Sequence, residues 1–284
     1  MLARTHGVGK QRKPPRWPIT AAAVRRNCDA LKLPVPRLFF PMHDGMAREQ
    51  MTGRSPSSMN GVVQGVQGLD FVDQNIPTGI TDAWMAPVAN GSQLSVVCSI
   101  TPRDIGGSHY TTWKGLCRRG TAATSGRDWF LFLTLGKIGV EMIVAGKKTS
   151  TEVITVDKLS TVGFSAYAHD SSGRVSTHAN GITETDSEVV ASNYHAAYEL
   201  GLGAGYAAAA SDSFDGIMHW MAFWDVEITN DEYVKLYEDP FALLAHRPAP
   251  IWFDVGGVEP PAGAIMNQLQ GANLGADLFN GTIQ

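Results

Sequence analysis

An antiparallel β-sandwich or barrel is the fold class that this sequence predicts, and three observations predict it. Apolar residues recur in short runs with a period of two. Thirty glycines and fifteen prolines in 284 residues break those runs into turns. The runs follow one another through turn-forming residues such as Asp-Ser-Ser-Gly and Asn-Gly rather than through helical patterns, which favours strands paired with their sequence neighbours. A hydrophobic content of 44% and an aromatic content of 9% supply the core. A chain of this length can bury most of its apolar surface without disulfides or metals.

Taken in order, residues 1–19, "MLARTHGVGKQRKPPRWPI", mix Gly, Pro and cations without any period and read as an extended arm. Ala-rich Thr20 to Leu31 reads as a short helix capped by Thr20 and ended by Pro34 and Pro36. From Arg37 the texture becomes strand-like. In "LSVVCSI", Leu94, Val96, Cys98 and Ile100 fall on one face, and Ser95 and Ser99 on the other. "WFLFLTLGKIGVEMIVAG" reads as two strands around a Gly136-Lys137-Ile138-Gly139 turn, and "TEVITV" follows at 151. "TVGFSAYAHDSSGRVSTHANG" then reads as strand, turn, strand, Asn-Gly turn. "AGYAAAA", from Ala204 to Ala210, reads as a loop or strand end.

The last strand is the most informative. Alternation puts Met218, Trp220, Ala222, Trp224, Val226 and Ile228 on one face, and Ile217, His219, Met221 and Phe223 on the other. A strand apolar on both faces is covered on both sides and belongs in the middle of a layered structure. Thr229-Asn230-Asp231-Glu232 fits a capping box, so a helix is expected from Asn230 to Glu238, closed by Asp239-Pro240.

Charge is unevenly distributed. Residues 1–37 hold nine Lys and Arg (among them Arg4, Lys10, Arg12, Lys13 and Arg16) against one acid, Asp29, while the remainder holds 14 against 26, a net of −12. Such a basic arm on an acidic body suits a segment that grips a neighbour in an assembly; nucleic-acid binding is disfavoured, because the arm carries one aromatic, Trp17, and no recognition fold. The three cysteines, Cys28, Cys98 and Cys117, have neither disulfide-framework nor zinc-ligand spacing and suggest synthesis in a reducing compartment. The N-terminus lacks the apolar run of a signal peptide, and no membrane-spanning segment is expected.

The stretch "FDGIMHWMAFWDVEITNDEYVKLYEDPFALL", residues 214–244, resembles the C-terminal signature of laminin-G-like, concanavalin-A-like jelly rolls. Its exit, "LYEDPFALLAHRP", resembles such domains in structural proteins of tailed bacteriophages. "LSVVCSITP" and "STVGFSAYAHDSSGRV" resemble earlier core strands of the same family. The resemblance implies an all-β, antiparallel jelly-roll sandwich over residues 37–250, with one short C-terminal helix. It is flanked by a basic arm with a short helix (1–36) and an extended tail (251–284), in which Ile265, Leu269, Leu274 and Leu278 are spaced for docking. It further implies a non-enzymatic virion protein, made in the host cytoplasm and decorating the capsid as a homo-oligomer held through its arms to capsid or other virion proteins. A carbohydrate-binding adhesion module is the alternative, and a glycan-degrading enzyme is a third.

Site chemistry separates these readings. Retaining glycosidases of this fold class carry a Glu-x-Asp-x-Glu strand, whose period of two aims all three carboxylates into one groove. Here Phe223 stands at the first position, leaving Asp225 and Glu227 without a nucleophile, so no catalytic residues are expected. Among the eight histidines (His6, His43, His109, His169, His178, His195, His219, His246) there is no HxxxH or HExxH spacing. His219 reads as a hydrogen-bonded core residue. "GVGK" at 7–10 lacks the spacing of a phosphate loop, and no Gly-x-Ser-x-Gly is present. The resemblance makes a rim calcium site worth testing at Asp170, Asp186, Asp212 and Asp215, but no run forms a dedicated loop and no cofactor is expected. Trp84, Tyr110, Trp113 and Tyr194 fall in or near loops and are the candidates for a sugar-stacking platform.

Overall fold

The computed structural model describes residues 19–42, 48–65, 67–86, 91–120, 127–142, 146–169, 173–187, 197–205 and 212–245. In chain order its elements are helix α1 (Ala21–Leu31), β1 (Leu38–Pro41), β2 (Val63–Gln64), β3 (Leu69–Val72), β4 (Ile76–Pro77), β5 (Gln93–Pro102), β6 (Lys114–Gly120), β7 (Arg127–Thr134), β8 (Lys137–Met142), β9 (Gly146–Val153), β10 (Ser160–Tyr167), β11 (Arg174–Ala179), β12 (Ile182–Ser187), β13 (Leu200–Leu202), β14 (Asp215–Trp224) and helix α2 (Asn230–Glu238).

Among the described residues these strands make two antiparallel sheets. The larger runs β12-β11-β10-β5-β14-β3-β2, with β1 also beside β14; the smaller runs β4-β13-β6-β7-β8-β9. The result is a jelly-roll-like β-sandwich. Its interior is filled by Leu94, Val96, Cys98 and Ile100 of β5 and Val162 and Phe164 of β10, packed with Trp129, Leu131 and Leu133 of β7 and Val140 of β8. The face read from "LSVVCSI" is therefore the inward face, and Ser95 and Ser99 lie behind it, buried but outside this cluster.

β14 is central, as its two-faced apolarity requires. One edge pairs with β5 along its length; the other pairs with β3 over residues 215–218 and with β1 over residues 220–223. The register against β5 shifts between Met218 and Trp220, so His219 is the extra residue of a bulge. That bulge corrects the simple alternation. Met218 joins Met221 and Phe223 in the inter-sheet core, whereas Trp220, Ala222 and Trp224 face outward into a second core. There they meet Ile19, Val24 and Cys28 of the α1 segment, Tyr233 and Leu236 of α2, and Leu243. The indole N–H of Trp220 donates to Pro240 O and that of Trp224 to Pro34 O.

The helix read with the basic arm is thus part of the packed body. Thr20 caps it by accepting from Ala23 N at 3.2 Å. It ends at Lys32, which is left-handed (φ 56°), before the prolines are reached. α2 has the expected bounds and capping box, with the Thr229 side chain on Glu232 N and Glu232 on Thr229 N. Thr229→Ala should cost about 1 kcal/mol, read as a lower urea midpoint with an unchanged slope.

The β7–β8 hairpin turns at Leu135-Gly136, both at positive φ (50° and 73°), rather than at Gly136–Gly139. Two positive-φ residues are what the twist of a tight hairpin demands, and Lys137 already pairs with Thr134. The Asn180-Gly181 turn (φ 45° and 88°) is where the dipeptide placed it. The 151-strand starts earlier, at Gly146. No described helix is long and apolar enough to cross a membrane.

Candidate functional site

The two ends of β14 define two rims of the sandwich. At the end marked by Asp215, β5 leads through residues 103–113 into β6. This connection is tightly held. Gly107 N donates to Thr112 O at 2.8 Å, and Leu135 N and Gly136 N of the β7–β8 turn donate to Gly106 O and Ile105 O. Thr134 Oγ1 reaches Gly107 O at 2.9 Å. Gly106 sits at φ +73°, and a Cβ there would lie 2.6 Å from Leu133 O, so only glycine lets the loop approach the hairpin.

The loop carries a shelf at its tip. His109 caps a single 3₁₀ turn, Tyr110–Thr112, with Nδ1 3.0 Å from Thr111 Oγ1. The His109 and Tyr110 rings lie 4.1 Å apart, and Tyr110 is 42% exposed. Beneath it Trp113 stacks on Phe132 (4.1 Å, 9° between planes), which stacks on Phe130 (4.9 Å, 19°). Phe132 lies where a Cβ on Gly139 would fall, 2.3 Å from its ring. Trp113 is therefore a buried anchor for the loop, correcting its reading as an exposed platform. At the foot of the loop Lys114, almost buried, bridges Asp73 (2.7 Å) and Asp104 (3.2 Å). Those carboxylates hold its ammonium charged against the opposing pull of burial, raising its pKa. Arg103 likewise ties Asp70 (2.6 Å) to Asp215 (2.8 Å).

The opposite rim lies where β14 ends. Trp84 belongs here, because Arg37, whose N–H donates to Phe223 O, places its guanidinium 5.2 Å from the Trp84 ring centre. Tyr110 and Trp84 consequently cannot share one platform, and Tyr194 lies outside the described residues. Asp225 and Glu227, the remnant of the ladder, are both engaged here: Asp225 pairs with Arg37 at 2.7 Å and Glu227 takes a two-pronged contact from Arg174.

Asp215 receives Arg103, Asp186 pairs with Lys148 at 3.1 Å, and Asp212 is buried beside Gly205. Asp170 lies outside the described residues, and among the latter no group of three His, Cys, Asp or Glu side chains gathers where it could hold a metal ion. His219 is a hydrogen-bonded core residue, between Gln67 O (2.7 Å) and Thr101 Oγ1 (2.9 Å). His6, His43, His195, His246 and the arm residues Arg4, Lys10, Arg12, Lys13, Arg16 and Trp17 also lie outside the described residues. Nothing local in sequence points to Arg37 or Arg174, whose carboxylate partners lie 188 and 53 residues away.

No family model matches the chain, and no curated protein does. Solved structures do. Domain 4 of AbnA, a GH43 extracellular arabinanase from Geobacillus stearothermophilus, in complex with arabinotriose, superposes with a TM-score of 0.50 at 12% identity, over 71% of this chain and 98% of that domain. A Trypanosoma rangeli sialidase in complex with 2,3-difluoro-KDN gives a TM-score of 0.50 at 12% identity, over 72% of this chain and 33% of the sialidase. At such identities the likeness defines the fold, a jelly-roll-like sandwich, and leaves the chemistry to the sites.

Proposed function

We propose that this chain is a carbohydrate-binding module that holds a glycan at the His109–Tyr110 shelf and does not cleave it. The observation that carries the reading is that shelf: an exposed aromatic pair, bordered by the Thr111 and Thr112 hydroxyls, on a loop fixed at its base. A rigid aromatic offers the C–H face of a sugar a large contact at little entropic cost, and neighbouring hydroxyls orient it. The fold-level likeness to a whole domain solved with arabinotriose supports it. The engagement of Asp225 and Glu227 with arginines supports the absence of catalysis, since a retaining mechanism needs a free nucleophile and a proton donor about 5 Å apart.

A glycan array with the full chain, followed by titration of each hit, tests this. Tyr110→Ala should weaken binding about tenfold, the worth of one good aromatic contact, without releasing shortened product. An array without hits rejects the module; product formation rejects the non-catalytic reading.

Display on a phage particle is a second reading, favoured by the "LYEDPFALLAHRP" exit and by nine cations against one acid in residues 1–37. Because Ile19 and Val24 are buried in the second core, its test removes residues 1–18 alone. Incorporation into particles should fall, and undiminished incorporation counts against an arm-mediated anchor.

A further inference from the structure

The rim opposite Tyr110 carries an arrangement that the shelf does not use. Arg37 lies between the Trp84 ring (5.2 Å) and Asp225 (Nη1 to Oδ2, 2.7 Å). Arg174 lies between the Tyr167 ring (4.9 Å) and Glu227 (Nε to Oε1 2.8 Å and to Oε2 3.0 Å, with Nη2 also on Oε2). Asp225 and Glu227 are two residues apart, so their Cα atoms lie within ~7 Å of each other. The same unit of ring, guanidinium and carboxylate therefore occurs twice along this rim, once from the β1 side of β14 and once from β11.

The backbone between them is fixed. Ser95 Oγ donates to Val226 O at 2.8 Å, Glu227 N donates to Gln93 Oε1 at 2.9 Å, and Ile228 N donates to Ser95 Oγ at 2.8 Å. The rings are fixed as well. Trp84 packs on the inter-sheet core and its Nε1 donates to Asp82 Oδ2 at 3.2 Å, while His169 lies 5.8 Å from Tyr167, nearly parallel to it. Arg37, Asp225 and Arg174 are nevertheless 50%, 40% and 45% exposed. Solvent reaches a set of polar groups whose positions are set from behind.

We infer that this rim is a second saccharide site, which reads hydroxyls of a neutral oligosaccharide through Arg37, Asp225 and Arg174 while Trp84 and Tyr167 border its C–H faces. Among the described residues Arg37 engages Asp225 through Nη1, leaving Nε and Nη2, and Arg174 engages Glu227 through Nε and Nη2, leaving Nη1. Asp225 accepts through Oδ2, leaving Oδ1. A hydroxyl both donates and accepts, so adjacent hydroxyls match a surface offering N–H groups beside a carboxylate oxygen. Each guanidinium charge is already offset by a carboxylate, so a sugar acid meets no net positive field and must compete with Asp225 and Glu227 for the same N–H groups. That selects a neutral ligand. The site rests on reading the chain as a carbohydrate-binding module, but shares no residue with the shelf.

The test uses the full chain and NMR signals that belong to this rim: the Nε–H of Arg37 and Arg174 and the indole N–H of Trp84. Arabinotriose, cellotriose, maltotriose and mannotriose are titrated separately to millimolar concentration, with trigalacturonate as the acidic comparator. At least one neutral trisaccharide should move all three signals saturably, and should still do so in Tyr110→Ala. Asp225→Ala removes the carboxylate acceptor beside Arg37 and should weaken that response about tenfold, the worth of one hydrogen bond to a charged group, while leaving the Tyr110 response intact. An exposed pair adds little to stability, so this variant stays folded. Trigalacturonate should bind no more tightly than the neutral sugars. Shifts confined to Tyr110–Thr112 overturn the second site and leave the module standing. Tighter binding of trigalacturonate overturns the neutral specificity, and no response at either rim to any of these sugars overturns the second site, while an array without hits overturns the module as well.

Discussion

Lowering the pH from about 7 to about 4 is expected to remove roughly 5–7 kcal/mol of stability, and two buried histidines are the reason. His178 on β11 is fully buried, stacked on Tyr233 at 4.6 Å and hydrogen-bonded to Ser165 Oγ and Thr183 Oγ1 at 2.9 Å each. Burial pushes its pKa down to about 3. His219 in the β14 bulge is pushed down by burial to about 4, against a smaller opposing effect of its hydrogen bond with Gln67 O. Because a carbonyl only accepts, Nδ1 of His219 carries the proton and Nε2 accepts from Thr101. Both native-state values lie below the ordinary value of 6.5. The unfolded chain therefore takes up protons that the folded chain refuses, and stability falls as pH drops below about 6.5, by ~1.4 kcal/mol per pH unit for each histidine. The loss levels off below the folded values. Urea midpoints followed by tryptophan fluorescence at stepped pH measure this. His178→Asn should be less stable at neutral pH yet show about half the slope; a flat profile between about pH 6.5 and 4.5 refutes the account.

Glu49→Ala is the substitution expected to cost most, about 3–5 kcal/mol. Glu49 is fully buried, and its carboxylate accepts from Phe39 N at 2.9 Å, Met51 N at 2.6 Å, Thr52 N at 2.6 Å and the Thr52 hydroxyl. It thus clamps the segment after β1 to β1 itself. Removing it strands the buried Phe39 N and frees two partly buried donors besides, and a buried donor without a partner costs far more than a typical hydrogen bond contributes. Glu49→Gln keeps one acceptor oxygen but sets an amide N–H₂ against those donors, and should fall between alanine and the native residue. Equal urea midpoints for all three chains would show that the clamp is dispensable.

How much of this was legible depends on the range of the signal. Period-two alternation placed the inward face of β5, and the capping box placed α2 to the residue, because both are written in adjacent positions. The same rule misassigned Met218, since a bulge inserts one residue and nothing at His219 announces it. Glu49 reads as an ordinary surface charge between Arg48 and Gln50, and its three donors are revealed only when the chain folds back. Trp113 looked exposed because the ring that hides it, Phe132, lies on the neighbouring strand. Arg37 lies 188 residues from Asp225, and Arg174 lies 53 from Glu227, so one sequence could identify the acids but not their partners.

The position of β14 has a consequence for how the protein is made. Among the described strands it is the last to leave the ribosome, yet β1, β3 and β5 all await it as a pairing partner. From Phe39 to Ala222, its partner across β1 and β14, translation at ~5–20 residues per second takes roughly ten to forty seconds. Throughout that interval the early strands are synthesised with open edges and greasy faces. The sandwich is therefore expected to close late, once β14 has emerged, and overexpression should favour inclusion bodies unless cooling or a holdase chaperone protects the nascent chain.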